Sequence, residues 1–297
     1  MKRLLVNGFY FCSGIVFLIL AKIKNKWMGY SPKTFSMEEI NRCIEYDIHV
    51  VDDWLKHLKE YKPDLTIRDK QILELGPGSD LGVGLYLLSK SAKKYTAVDV
   101  YDLASKVSPE FYSAFFTYLE EKYKTDTRRL KEELGKTMRQ DNDQLNYVCR
   151  KDFDLVKAVG DAQIEVVFSN AAFEHFSDFR KTIKDLSRIT APGAVLVVSV
   201  DLRTHSRWIR DKDPNNIYRY PDVLYKLLKF NSSPNRIRPY QYRKAFEDCG
   251  WKEIVIQPEM TLDSARLAYF QACLNKKFKD PANQMEYLTI WICAVKE

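Results

Sequence analysis

The chain has 297 residues, 45% of them hydrophobic and 13% aromatic, which is enough to bury the core of one large domain with appendages. Its net charge of +7 comes from 47 basic and 40 acidic residues that are spread along the sequence, so nucleic acid is not an expected partner. The six cysteines are scattered and never in Cys-x-x-Cys spacing, which argues against a disulfide framework and a cysteine zinc site.

An uncharged apolar run covers residues 4 to 21, with basic residues on both sides. At ~1.5 Å per residue it extends ~27 Å, barely the thickness of a hydrocarbon core. Asn7, Gly8, Ser13 and Gly14 weaken it as a transmembrane segment, and the flanking charges leave its orientation open. We interpret residues 1 to 30 as a membrane anchor or interfacial helix, with a helix buried in the domain as the alternative.

A helical extension is predicted for residues 31 to 69. Ser36 and Glu39 have the spacing of a capping box, which opens a helix with an apolar face that reaches about Tyr61. Pro63 then ends it.

The next segment combines a glycine turn with an acidic strand end. Residues 72 to 75 form an apolar strand that enters Gly76-Pro77-Gly78, where the missing Cβ atoms let the backbone turn sharply and approach a ligand. Asp99 ends the following strand, a position from which a carboxylate binds ribose hydroxyls across the strand ends of a doubly wound sheet. The pattern predicts a nucleoside site.

A nicotinamide cofactor fits this site poorly, because the third glycine is displaced by one position and Asp80 would repel a pyrophosphate. Glu74 also suits a cationic ligand. The segment resembles motif I of the class I S-adenosylmethionine-dependent methyltransferases, with Glu74, Gly76 and Gly78 on the motif's positions and Asp99 on its ribose-binding acid. The resemblance covers most of residues 70 to 297 and implies an α/β fold, a Rossmann-like doubly wound seven-stranded sheet, with S-adenosylmethionine as cofactor.

Further cofactor contacts follow from the same resemblance. It implies that Asp152 and Phe153, after the third strand, bind the adenine, with Asp154 as the near alternative. It also assigns Ser169 and Asn170, at the end of the fourth strand, to the cofactor site. The third, fourth and fifth strands are predicted at residues 147 to 149, 166 to 170 and 194 to 201.

Two insertions are expected to shape the acceptor pocket. Residues 108 to 144 are amphipathic and aromatic-rich, either a lid or a helix pair that covers the sheet. Residues 202 to 239 follow the fifth strand, whose end faces the cleft. Their Asp-Leu-Arg-x-His and Asn-Arg-x-Arg patterns resemble bacterial methyltransferases of surface-polysaccharide and lipopolysaccharide assembly. Such polar and aromatic residues suit a sugar, and the arginines would equally suit a phosphate-bearing lipid headgroup.

Methyl transfer to an oxygen requires alignment and a group that takes the proton. His175, in the loop after the fourth strand, and His205, after the fifth, are the histidines predicted at the cleft. We assign His205 as the base, Asp201 as the residue that orients it, and His175 to the methyl region; a structural role is the alternative for either histidine. No carboxylate set for a metal is evident, so we predict no metal.

The leading hypothesis is an O-methyltransferase that acts on a hydroxyl of a glycan or lipid-linked saccharide. The alternatives are a methyltransferase of a hydrophobic small molecule such as a lipid or quinone, or a non-catalytic binding subunit, against which the complete cofactor motif counts. Because S-adenosylmethionine is a cytosolic cofactor, residues 4 to 21 would hold the enzyme on the cytoplasmic face of a membrane. If they form a buried helix, the enzyme is cytoplasmic.

Overall fold

The computed structural model describes residues 2–28, 36, 38–141, 143–230 and 233–297. Residues 31–35, the start of the predicted extension, lie outside this described part. The strands are β1 Gln71–Leu75, β2 Lys94–Asp99, β3 Leu145–Cys149, β4 Ile164–Asn170, β5 Thr190–Asp201, β6 Trp251–Thr261 and β7 Tyr287–Lys296. The α-helices are α1 Lys2–Met28, α2 Ile40–Tyr61, α3 Gly82–Ser89, α4 Pro109–Tyr123, α5 Arg128–Met138, α6 Leu155–Val159, α7 Phe179–Ile189, α8 Arg207–Arg210, α9 Asp222–Leu228, α10 Pro239–Asp248 and α11 Ser264–Gln271.

The seven strands form one sheet in the order β3-β2-β1-β4-β5-β7-β6. The first five are parallel, and β7 runs antiparallel between β5 and β6. This confirms the predicted seven-stranded, doubly wound α/β fold. The strand order reverses between β1 and β4, and in such sheets ligands bind in the crevice outside the carboxyl ends of the strands at this reversal.

The central strands are apolar because both faces of the sheet are covered. On one face, α2, α3 and α4 pack onto the sheet, and Trp54 of α2 stacks on Phe168 of β4 with ring centroids 4.7 Å apart. On the other face, α7 and α10 bury Ile183 and Phe246 against β1, β4 and β5. The two cores hold the strand ends at fixed positions and so fix the crevice.

Helix α2 ends at Tyr61, as predicted. Its buried side includes Ile44, Val51, Trp54 and Leu58, which pack on the sheet beside α3. This packing brings the same helix to the edge of the crevice, where Asp47 is also buried.

The insertion at 108 to 144 folds into α4 and α5. Its aromatic residues Phe111, Phe115 and Phe116 are buried in the core with α2 and α3. Among the described residues of this insertion none lines the crevice, so the structure favours the covering helix pair over the lid.

Helix α1 is longer than the apolar run that predicts it. Its window Leu5–Trp27 has the length and composition of a membrane-spanning helix, and 17% of that window is buried. It is not a detached segment, because Leu18 is buried among residues of the second insertion, Ile217, Tyr220 and Leu228.

Candidate active site

A cleft of about 1930 Å³ opens at the carboxyl ends of β1, β2, β4 and β5. Its wall is completed by α2, by the end of α1 and by residues 201 to 237. The cleft therefore lies where the strand order predicts a ligand site. Residues predicted for the cofactor and residues of the insertion predicted to shape the acceptor pocket both line it.

The turn after β1 brings backbone close to the cleft. Gly76 and Gly78 have φ angles of +74° and +79°, in the left-handed region that side chains disfavour. A Cβ on Gly76 would lie 2.7 Å from the Cβ of Ala172, which follows β4. Gly76, Pro77 and Gly78 all line the cleft, so this turn has room for a ligand but none for larger residues at position 76.

Asp99 ends β2, the strand that pairs with β1, and is 6% exposed. Its Oδ1 accepts hydrogen bonds from the backbone N–H groups of Val100 at 2.6 Å and Tyr101 at 3.0 Å. Burial raises the pKa of this carboxyl, and the surrounding backbone N–H groups, including that of Gly78, oppose the shift. The carboxylate is held in place as a ribose-binding acid requires.

The cofactor end of the cleft is acidic. Glu74 is buried and accepts a hydrogen bond from the hydroxyl of Tyr95, which is itself fully buried. Asp47 of α2 lies beside the start of α3 and also lines the cleft. With Asp99, these acids suit a ligand that carries a sulfonium and an ammonium group. Asp47 was missed in the sequence because its helix gave no sign of which turn reaches the cleft.

The predicted adenine residues line the cleft just after β3. Phe153 has a φ of +45° and its ring centroid lies 4.9 Å from that of Phe176. Asp152 is exposed, and its pairing with Arg150 at 2.8 Å lowers its pKa to about 2. The near alternative, Asp154, instead caps α6 by accepting a hydrogen bond from the Lys157 backbone N–H at 3.1 Å. The assignment of Asp152 and Phe153 to the adenine stays a prediction.

The structure separates the two residues predicted at the end of β4. Asn170 lines the cleft, and its Nδ2 donates to the hydroxyl of Tyr46 at 3.1 Å. Ser169 is fully buried, lies outside the cleft wall, and donates its hydroxyl to the Leu75 carbonyl at 2.8 Å. The prediction for Ser169 is therefore corrected: it connects β4 to β1 under the glycine turn.

The two predicted histidines come together in the cleft. His175, in a short 3₁₀ turn after β4, and His205, after β5, have ring centroids 4.9 Å apart. Burial, and secondarily the charge of Arg203, lowers the pKa of His205 to about 4, so its imidazole is neutral at physiological pH. Among the described residues its Nε2 has no hydrogen-bond partner.

Asp201 does not orient His205 as predicted. It accepts from Arg203 Nε at 2.9 Å and from Arg210, whereas its Oδ2 is 3.9 Å from His205 Nε2, beyond hydrogen-bond distance. The two guanidiniums pull the carboxylate toward themselves. Asp201 thus positions Arg203 and Arg210 at the cleft.

Glu174 also lines the cleft, although the sequence analysis did not assign it to the site. It is 1% exposed, and neither carboxylate oxygen has a hydrogen-bond partner among the described residues. Burial raises its pKa to about 8, against the opposing charges of Arg210 and Arg203. The Glu-His pair after β4 was the available signal, but only the fold shows that this glutamate points inward.

Glu174, His175 and His205 each offer one ligand atom, and these atoms all lie within 4.8 Å of one another. This is a group that could hold a metal ion. Our prediction that the enzyme uses none stays a prediction.

The Asn-Arg-x-Arg pattern serves the fold. Asn235 donates its Nδ2 to the Phe173 carbonyl at 2.8 Å, and its backbone N–H donates to the Glu174 carbonyl at 2.6 Å. Arg236 donates to two backbone carbonyls, and Arg238 is fully buried with Nε on the Asn283 carbonyl at 2.9 Å. These residues hold the Glu174 loop and the insertion together. The sequence pattern alone could not distinguish this structural role from a role in acceptor binding.

The end of the cleft away from the glycine turn is basic. It is lined by Lys24, Arg207, Lys226 and Lys229, with Asp222 at the start of α9 among them. The cleft therefore runs from an acidic end beside the glycine turn to a basic end beside α1 and α9.

A sheet with five parallel strands and an antiparallel β7, together with this glycine turn, the acid at the end of β2 and an acidic pocket, defines the class of S-adenosylmethionine-binding enzymes. The profile of the Methyltransferase domain family matches residues 45–254, so the chain belongs to this family. It is an S-adenosylmethionine-dependent methyltransferase. No curated protein sequence matches the chain significantly.

Solved structures with related folds include the CurJ carbon methyltransferase, at 16% identity and a TM-score of 0.41, over 78% of this chain and 50% of that one. An S-adenosylmethionine-dependent methyltransferase from Listeria monocytogenes has 16% identity and a TM-score of 0.43, over 81% and 97% of the two chains. The Haemonchus contortus Phospholethanolamine N-methyltransferase 2 has 15% identity and a TM-score of 0.45, over 82% and 52%. The chain thus spans about half the length of two of these proteins.

Proposed function

We propose that the enzyme transfers a methyl group to a hydroxyl of a glycan or lipid-linked saccharide. The observation that carries this proposal is the pair Glu174 and His205, a buried carboxyl and a neutral imidazole within 4.8 Å, in the cleft that also contains Asp99. A hydroxyl is a weak nucleophile until its proton leaves, so an oxygen acceptor is the class that makes use of such a pair.

S-adenosylmethionine supplies a methyl group bonded to a positively charged sulfur. With S-adenosylmethionine bound, the acceptor oxygen would take the methyl carbon as the carbon–sulfur bond breaks and the neutral thioether leaves, and His205 Nε2 would accept the hydroxyl proton. The resulting imidazolium lies beside the Glu174 carboxylate, which compensates its charge in a buried site. His175 and the glycine turn shape the methyl region, and burial excludes water from it.

The acceptor we propose is acidic. Arg207, Lys226 and Lys229 line the basic end of the cleft, and we assign the far part of the acceptor to this end. Guanidinium and ammonium groups bind phosphate and carboxylate, and Phe230 of the cleft wall offers an apolar face for a sugar ring. A phosphate-linked saccharide satisfies both features, whereas a quinone satisfies only the apolar one.

We also propose that the enzyme works on the cytoplasmic face of a membrane. Helix α1 has the length and composition for membrane contact, and its end lines the cleft. A lipid-linked acceptor would then lie in the same membrane as the enzyme.

Isotope transfer tests this function. The purified enzyme, given S-adenosylmethionine with a labelled methyl group and an envelope extract from cells that lack the gene, should label one glycan or lipid-linked saccharide. Mass spectrometry of that species should place the label on oxygen. Label on nitrogen or carbon, or in a quinone fraction, would contradict the proposal.

The control is Asp99→Ala, which should lose transfer in the same extract. The corresponding species from the deleted strain should be lighter by one methyl group. An unchanged envelope profile would argue for a different acceptor class.

A further inference from the structure

Helix α1 has two apolar faces, and the protein covers one of them. On the covered face Leu18 is buried with Ile217 and Tyr220. The opposite face is open, with exposed fractions from 42% for Ile19 to 82% for Trp27. Its exposed apolar residues are Leu5, Phe9, Val16, Ile19, Leu20, Ile23 and Trp27.

Polar contacts attach the covered face along most of the helix. The Oδ1 of Asn7 accepts from both terminal nitrogens of Arg219 at 3.2 Å, and Asn216 donates to the Tyr10 carbonyl at 2.9 Å. At the other end, Lys22 Nζ donates to the Leu227 carbonyl at 2.9 Å. Residues 7 and 22 are ~22 Å apart along a helix axis, so the attachment is extended and not a single point.

This attachment is incompatible with a helix that crosses a bilayer. The segment that holds α1 contains the fully buried pair Arg219 and Asp213, 2.6 Å apart, and Lys226 of α9 and Lys229 just after α9 are exposed. Exposed charges and irregular backbone are excluded from the hydrocarbon region. While α1 stays on the domain, it can lie in the membrane surface but cannot span it.

Two neighbouring elements enlarge the open face. Trp208 of α8 is 82% exposed and stacks on Phe17 of α1, with ring centroids 6.3 Å apart. Val223 and Leu227 of α9 are also exposed, and Leu227 adjoins Lys22. We call the open face of α1, together with Trp208, Val223 and Leu227, the docking surface.

Basic residues surround this surface. The exposed basic residues are Lys24 and Lys26 of α1, Arg207 of α8, Lys226 of α9 and Lys229 just after α9. An apolar helix face with tryptophans and flanking lysines is typical of helices that bind in the interface of anionic membranes.

We propose that the docking surface binds an anionic lipid bilayer with α1 parallel to the membrane plane. The inference rests on the membrane location proposed above and specifies its geometry. Ala21 and Lys24 of α1, with Arg207 and Lys226, also line the cleft. The cleft therefore opens at the lipid headgroups, and an acidic, lipid-linked acceptor enters it from the membrane surface.

Vesicle sedimentation of the full chain tests the docking surface. The enzyme should bind vesicles that contain phosphatidylglycerol and remain free of pure phosphatidylcholine vesicles. Leu20→Glu and Leu227→Glu should each weaken binding by about tenfold or more, because each puts a charge against lipid. Met138→Glu, at an exposed apolar position on α5 outside the surface, is the matched control and should bind normally.

Methyl transfer to a water-soluble acceptor should be unchanged in all three variants, since none of these side chains lines the cleft. Normal transfer with no vesicle binding by the wild type would therefore overturn the docking inference alone. Loss of transfer in the wild type would count against the proposed function instead. A dimer in solution that Leu20→Glu dissociates, without vesicle binding, would assign the surface to a second copy of the chain.

Fluorophore depth tests the orientation. Single labels at Phe9→Cys, Val16→Cys and Ile23→Cys, with Cys12 and Cys149 changed to serine, should be quenched equally by shallow brominated lipids. A spanning helix would separate the first and last labels by ~21 Å in depth. A depth gradient across the three positions would overturn the in-plane arrangement.

Discussion

Glu174 and His205 follow two different strands, yet a carboxylate oxygen of one and an imidazole nitrogen of the other lie within 4.8 Å. Burial moves both groups toward the neutral form: the pKa of Glu174 is raised to about 8 and that of His205 is lowered to about 4. A proton taken up by His205 is therefore stabilised only when Glu174 has lost its own, which couples the pair to pH.

This coupling predicts the pH profile of the enzyme. Because the Glu174 carboxylate supports protonation of His205, kcat/KM should rise with pH through an apparent pKa near 8. Glu174→Gln keeps the shape but cannot ionise, so it should lower turnover by ~10-fold or more and remove that rise. Steady-state kinetics between pH 6 and pH 9.5, in roughly half-unit steps, would measure this. If kcat/KM of Glu174→Gln still rises with pH as in the wild type, a group other than Glu174 is responsible for that rise.

Although Glu174→Gln should lower turnover, it should raise the stability of the folded enzyme at alkaline pH. The folded-state pKa of Glu174 is raised, so ionisation is disfavoured in the fold, and the wild type loses stability as pH rises from about 4.5 toward about 8. Glu174→Gln should be more stable to unfolding than the wild type at pH 8.5, by on the order of 5 kcal/mol, and equally stable near pH 4. Calorimetry at the two pH values decides; a difference independent of pH would show that packing, not ionisation, is responsible.

The two histidines should differ in what they affect. If His205 takes the acceptor's proton, His205→Ala should lower turnover by ~10²- to 10⁴-fold with nearly normal affinity for S-adenosylmethionine. His175→Ala should be milder in turnover and more visible in cofactor affinity. The control is His49→Ala, because His49 is exposed on α2 and pairs with Asp53; this variant should keep normal turnover and cofactor affinity. The reverse ranking would make His175 the base, and losses under about threefold in both would leave alignment as the source of the rate.

Cofactor affinity should depend on the turn and the ribose acid. Asp99→Ala should abolish measurable S-adenosylmethionine binding, and Gly76→Val should do so because its side chain meets Ala172. Protonation should also weaken binding, and because burial raises the Asp99 pKa, the loss on acidification should begin above the usual range of an aspartate. Titration calorimetry tests all three, with Asp154→Asn, at the α6 cap, as the control that binds normally.

Removal of metal should leave methyl transfer unchanged. We predict that EDTA has no effect on kcat and that Mg²⁺, Mn²⁺ or Zn²⁺ restores nothing. Atomic emission of the purified protein should find less than stoichiometric metal. Activity lost in EDTA and restored by one of these ions, in the wild type but not in His175→Ala, would make Glu174, His175 and His205 a metal site.

The sequence by itself determined the cofactor half of this enzyme. The glycine turn, the acid 21 residues after Gly78 and the alternation of strands and helices are local features, since each depends on backbone conformation or hydrophobic period within one segment. They predicted the sheet, the family and the positions of Gly76, Gly78 and Asp99. The five parallel strands then bring these residues to one edge because of the handedness of the crossovers.

The tertiary structure decided the rest, because burial and pairing depend on residues distant in the chain. The sequence pattern suggested ligand binding for Ser169 and Arg238. In the structure, however, each side chain donates a hydrogen bond to a backbone carbonyl, of Leu75 and Asn283 respectively. Glu174 became distinctive only when the fold left it buried without a hydrogen-bond partner in the described part of the chain. In α1, both faces are apolar, so composition could not show which one the protein covers. Asn7 and Gly14, which weakened the membrane reading, are the residues that meet Arg219 and Asn216.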